Sequence, residues 1–177
     1  MDKPMPDLWF IGMSLLFKVR DLVRPRAGVL KEVGIRPGFH VLDYGCGPGG
    51  YISAVAQLVG ASGTVYALDI HPQAIQRVWS IARKKRLTNV ETILSDCRTG
   101  LPNESIDVVL LYDTFHNLSE QGLVLEELHR VLKASGILSF SDHHMKESEI
   151  VPKVTGQGLF GLSAKGKTTY SFLKNTS

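Results

Sequence analysis

Two hydrophobic periods alternate along this chain, and that alternation limits the folds open to it. Short runs rich in Val, Ile, Leu and Tyr fall at 39–43, 64–70, 90–95, 106–112 and 137–141, with the length and residue types of buried strands. Helical spacing fills the intervals. Ile52, Val55, Ala56 and Val59 lie at i, i+3, i+4 and i+7, and Ile75, Val78, Trp79 and Ala82 repeat the pattern one strand later, the stripe of an amphipathic helix. Val124, Leu128 and Val131 mark a third helix, with Ser119 placed to cap it. Strand and helix in repetition predict a mostly parallel sheet covered on both faces. Ligands of such a sheet gather at the carboxyl ends of its strands.

The tail departs from this rhythm. "GLFGLSA" at 158–164 and "TTYSFLK" at 168–174 are separated by Lys165, Gly166 and Lys167 alone. A link that short makes an antiparallel hairpin, because a parallel crossover needs roughly a dozen residues. One strand is therefore expected to run against the rest. Ahead of the first strand, 8–23 and 26–33 read as helices ended by Pro25 and Gly34. A chain of 177 residues has room for one ordinary core, so residues 1–34 are read as an extension, for packing or as a lid, and 35–177 as the domain.

Composition excludes several classes. Apolar residues make up 44% and charged residues 21% of the chain, ordinary for a globular protein. The net charge of +3 is mild, and the densest basic run, Arg83 to Arg86, ends a predicted helix, where cations meet the dipole. Nucleic acid is therefore not the expected partner. Cys46 and Cys97 form neither a CxxC pair nor a disulfide framework, and with no signal sequence evident the expected compartment is the cytoplasm. The most apolar stretch, "LWFIGMSLLF" at 8–17, is about half the length needed to span a bilayer. It reads as a buried helix packing on the domain, covering an apolar acceptor, or pairing two copies into a homodimer.

The chemistry concentrates at "VLDYGCGPGGY", residues 41–51. Gly45, Gly47 and Gly50 satisfy GxGxxG, a weak pointer to dinucleotides by itself. Asp43 stands two residues ahead of them. A diphosphate on the following helix would be repelled by a carboxylate at that strand end, whereas a ligand bearing an ammonium and a sulfonium would be attracted. S-adenosylmethionine is such a ligand. With its apolar strand, acid and glycine turn, the chain resembles the class I S-adenosylmethionine-dependent methyltransferases, within them the ubiquinone/menaquinone-type group acting on small molecules.

The resemblance extends over almost the whole chain. "VYALDI" ends in Asp69 and Ile70, which the family implies for the ribose diol and for packing on adenine. "ILSDCR" supplies Asp96 and Cys97, similar to the family's acid for the adenine amino group and to a residue whose backbone meets the ring. "LKASGILSF" at 132–140 looks like a helix end, glycine turn and fifth strand. The implied fold is α/β: Rossmann-like and doubly wound, a mostly parallel seven-stranded sheet with a C-terminal antiparallel hairpin. The implied activity is methyl transfer to a small molecule. An NAD-dependent oxidoreductase is the rival enzyme, against which Asp43 and the hairpin both tell; a noncatalytic S-adenosylmethionine-binding or scaffold protein is the rival outside enzymology.

"YDTFHNL" at 112–118 ends the fourth strand, beside the transferable methyl if the resemblance holds. Tyr112 is the expected cofactor contact there, and Asp113, His116 and Asn117 are the residues expected to face the acceptor. His116 is the base of choice because imidazole titrates near neutrality; Asp113 joins it as a catalytic candidate. The base-methylating relatives carry an Asn/Asp-Pro-Pro-aromatic tetrad at this place, where this chain has "DTFH", so the resemblance implies a small-molecule acceptor. "SDHH" at 141–144 offers Asp142, His143 and His144, but adjacent histidines on an extended segment point apart. No metal site is expected from them.

Overall fold

The computed structural model describes residues 27–175 together with isolated positions 4, 6 and 12. Apart from position 12, the apolar stretch at 8–17 and the helix expected over 8–23 lie outside the described residues. The described elements run α1 (Ala27–Val33), β1 (His40–Tyr44), α2 (Ile52–Val59), β2 (Thr64–Asp69), α3 (Pro72–Lys85), β3 (Val90–Leu94), β4 (Ile106–Tyr112), a 3-10 turn (Phe115–Asn117), α4 (Gln121–Val131), β5 (Leu132–Ser141), α5 (Glu147–Thr155), β6 (Phe160–Lys165) and β7 (Tyr170–Lys174).

The seven strands form one sheet in the order β3-β2-β1-β4-β5-β7-β6. β1 through β5 pair in parallel. β7 lies antiparallel to both β5 and β6, as the three-residue link between the last two segments requires. Strand order reverses between β1 and β4, which opens a crevice at their carboxyl ends.

β4 shows how both faces are covered. Val108, Leu110 and Tyr112 join the core built with α1, α2 and α3, while Val109 and Leu111 join the core built with α4, α5 and the hairpin. A strand enclosed on both sides needs no polar face, which is why "IDVVLLY" is nearly continuous in apolar residues. The stripe predicted for α2 is buried in full: Ile52, Val55, Ala56 and Val59. α3 differs, since Ala74 and Val78 are its buried residues and Trp79 is 61% exposed. This helix lies over β2 and the edge strand β3, so its outer flank has no further strand to cover. The Trp79 indole N–H instead donates to the Thr92 hydroxyl at 2.7 Å.

Two local expectations are corrected. α4 starts at Gln121 with Glu120 in the capping position and no side-chain cap bond, one residue beyond Ser119. Residues 132–136 are not a helix end and turn but part of β5, whose register slips from Ile106↔Leu132 to Val108↔Ile137. Gly136 permits the resulting bulge: a Cβ there would come within 2.7 Å of Leu132 Cδ2 and 3.1 Å of the Ile106 carbonyl. At the other end of the fold, Glu32 of α1 accepts from the Thr169 N–H at 3.2 Å and the Thr169 hydroxyl at 2.8 Å, fastening α1 to the β6–β7 turn.

Candidate cofactor and acceptor site

The glycine loop leaves β1 with its backbone in left-handed conformations that side chains resist. Gly45, Gly47 and Gly49 carry φ of 76°, 51° and 80°. The third such residue is thus Gly49, not Gly50 of the sequence pattern. A Cβ on Gly49 would press into Ile81 and Val78 of α3, and one on Gly45 would overlap the Thr114 side chain. A Cβ on Gly47 would meet nothing within 4 Å. The loop is therefore locked on two sides and open over Gly47, where backbone can approach a ligand.

Two acids stand at this loop. Asp43 is 3% exposed, and Asp69, at the end of β2, accepts from the Gly47 N–H and the His71 N–H, each at 2.8 Å. Burial raises the Asp69 carboxyl above its ordinary value, more than the N–H groups of His71 and Gly47 lower it. Each of its oxygens keeps a further lone pair for a ligand hydroxyl. Burial also pushes the Cys46 thiol well up, and the charges of Asp43 and Asp69 push it in the same direction. Cys46 is therefore a protonated, buried packing residue between two carboxylates. A glycine loop flanked by a buried acid, Asp43, and a half-buried one, Asp69, and open above its backbone fits a cationic ligand with a diol. It does not fit a second anionic group.

The sequence places the other expected cofactor residues nearby. The Tyr44 hydroxyl donates to the carbonyls of both Asp96 and Cys97 at 3.4 Å, so the loop after β3 is drawn to the end of β1. Tyr112 is 7% exposed; its hydroxyl lies 2.7 Å from Ser139 Oγ and its ring stands edge-on to Tyr51 at 5.1 Å. Burial pushes its phenol far above the ordinary range, against the lowering bond from Ser139. A neutral, engaged hydroxyl leaves the ring and backbone of Tyr112 for any ligand.

The segment after β4 joins the glycine loop to a histidine cluster. Thr114, packed on Gly45, donates to the Tyr112 carbonyl at 3.0 Å. Asp113, held at φ 51°, accepts from the His143 N–H at 3.0 Å and lies 2.6 Å from His143 Nδ1. His116 Nδ1 lies 2.9 Å from the Asp142 carboxylate. Spacing along the sequence does not pair these residues. Read along the sequence, Asp142 and His143 belong to a solvated loop, and no group of three or more residues suited to a metal occurs among the described residues. The signal was an acid and a histidine directly after each of two neighbouring strands. A groove at Gly161, Leu162, Leu173 and Lys174 lies at the opposite edge of the sheet from all of these groups.

Comparison with known proteins gives the arrangement its relatives. Residues 35–171 match a family described as a methyltransferase domain. The demethylmenaquinone methyltransferase of a Geobacillus strain is 28% identical over 125 residues, 70% of this chain and 53% of that protein. The ubiquinone/menaquinone biosynthesis C-methyltransferase UbiE of Burkholderia vietnamiensis is 29% identical over 144 residues, 77% of this chain and 54% of that one. The chain thus spans about half the length of the curated relatives it matches. A SAM-dependent methyltransferase from Aquifex aeolicus superposes with a TM-score of 0.75 and 28% identity, covering 89% of this chain and 96% of that chain. No helix among the described residues is long and apolar enough to cross a membrane.

Proposed function

This chain belongs to the methyltransferase-domain family, whose class I members take S-adenosylmethionine as methyl donor, and from that premise we propose that it methylates a small, apolar molecule. The observation that carries the reading is the pair of acids at the open glycine loop, the buried Asp43 and the half-buried Asp69 bonded to the Gly47 N–H. Bound there, the donor supplies an electrophilic methyl carbon on a sulfonium whose sulfur keeps the bonding pair when the methyl leaves.

The residues then divide the work. Asp43 offsets the donor's positive charge beside Gly45 and Gly47, and Asp69 accepts from the ribose diol. Ile70 packs on the adenine, Asp96 accepts from its amino group, and the Cys97 backbone meets the ring. Tyr112 closes the donor pocket with its ring. Asp113, His116 and Asn117 face the acceptor, with His116 as the base where the acceptor has a proton to lose. Positioning and exclusion of water supply the rest, since the displacement is in line. Residues 1–34 serve as an apolar extension, packing on the domain, over the acceptor or on a second copy. An apolar acceptor agrees with the quinone names of the relatives. The reducing cytoplasm suits Cys46 and Cys97, neither of which is in a disulfide.

The test is label transfer from methyl-labelled S-adenosylmethionine over a panel of lipophilic hydroxylated aromatics. Labelled product from at least one acceptor is expected. Tight donor binding with no product from any acceptor would favour the noncatalytic alternative.

A further inference from the structure

We propose that Asp142 is a positioning residue that holds His116 in the tautomer able to accept a proton from the acceptor at Nε2; the inference rests on the methyl-transfer reading above. β4 and β5 are neighbours with Tyr112 opposite Ser141, so the two chain segments leave the sheet side by side. Each lends its acid to the other's histidine. Asp113 of the first holds His143 of the second, and Asp142 of the second holds His116 of the first.

Burial separates the two pairs. The Asp142 side chain is fully buried and the His116 side chain is 21% exposed; the corresponding figures for Asp113 and His143 are 17% and 58%. The inner pair is therefore His116 with Asp142. The Asp142 carboxylate already accepts from the backbone N–H groups of His116 and His144, each at 3.1 Å. An ionised carboxylate is acceptor-only, so the proton between it and the ring belongs to Nδ1. Nε2 is then the bare nitrogen, and among the described residues it has no hydrogen-bond partner. The His144 ring lies tilted beside His116, with centroids 4.3 Å and planes 38° apart, and walls one side of it.

The chemistry selects the acceptor class: a molecule with an acidic O–H or an enolisable C–H. In the proton transfer the acceptor's bond to hydrogen breaks, its electron pair stays on the acceptor for attack, and an Nε2–H bond forms. The imidazolium so made lies against the buried Asp142 charge, the role an orienting acid has in other His–Asp pairs.

Nitrogen NMR of the full chain carrying 15N-labelled histidine tests this without turnover, the His116 signals being identified by their loss in His116→Gln. A neutral His116 protonated at Nδ1 is expected in the unsubstituted protein, and protonation at Nε2 would overturn the proposal whether or not any variant folds. In Asp142→Asn the introduced amide faces Nδ1 with an N–H of its own and should turn the ring to the Nε2–H form. With an acceptor in hand, Asp142→Asn is expected to lose about a hundredfold in kcat at unchanged donor KM, within the range of general-base effects. Undiminished kcat in that variant would overturn the proposal. Absence of any acceptor would count against methyl transfer alone, since the tautomer is read in the protein by itself.

Discussion

Asp69 links the glycine loop to the turn after β2, and in the proposed function it also meets the donor. Its two oxygens hold the N–H groups of Gly47 and His71 and have lone pairs left for a diol. Asp69→Ala should weaken S-adenosylmethionine binding by tenfold or more, given roughly 1.5 to 3 kcal/mol for a hydrogen bond to a charged group, while His116→Ala leaves donor affinity near its original value. Calorimetric titration of both variants checks this, and equal affinities would remove Asp69 from the donor site. Gly45 makes a second case at the same scale. Its φ of 76° and its contact with Thr114 leave no room for a methyl. Gly45→Ala should cost about 1 to 2 kcal/mol from conformation alone, a fall in melting temperature of roughly 3 to 6 °C for a chain of this size. An unchanged melting temperature would mean the loop rearranges freely.

Among the elements, α4 is fastened by one carboxylate. Glu127 accepts from the Thr99 N–H at 2.8 Å and the Thr99 hydroxyl at 2.6 Å, and from Arg130 Nε at 2.9 Å. Burial alone would raise this carboxyl, but the bonds from Arg130 and Thr99 prevail and hold it at about 2, below its ordinary 4.5. A depressed folded-state value means stability that is fully present above about pH 4.5 and lost as pH falls toward about 2. Glu127→Gln should therefore flatten the acid limb of a denaturation profile; an unaltered limb would show that Glu127 is not held this way in solution. Such long-range ties separate what the sequence discloses from what it conceals. The α2 stripe and the hairpin depend on spacing and loop length, both local, and both are legible. Trp79 looked inward by period, yet its neighbours depend on α3 covering an edge strand. The bulge at 132–136 depends on the register of β5 against β4, and the inward turn of Asp142 toward His116 depends on the same pairing across 26 residues. The GxGxxG spacing also passes over Gly49, whose left-handed backbone and closeness to Val78 and Ile81 depend on how α3 packs on the loop.

At the scale of the whole molecule, strand order reverses between β1 and β4, and this brings the acid of β1, the acid of β2 and the histidine cluster after β4 and β5 to one edge of the sheet. The electrostatic character of that edge distinguishes the proposed ligand from its rival. The carboxylates of Asp43 and Asp69 at the glycine loop favour a sulfonium with an ammonium and oppose a diphosphate. Calorimetric titration of the unsubstituted chain, with S-adenosylmethionine in one experiment and NAD in the other, measures that preference directly. Saturable binding of S-adenosylmethionine with none of NAD is expected; tight binding of NAD with no heat from S-adenosylmethionine would contradict it.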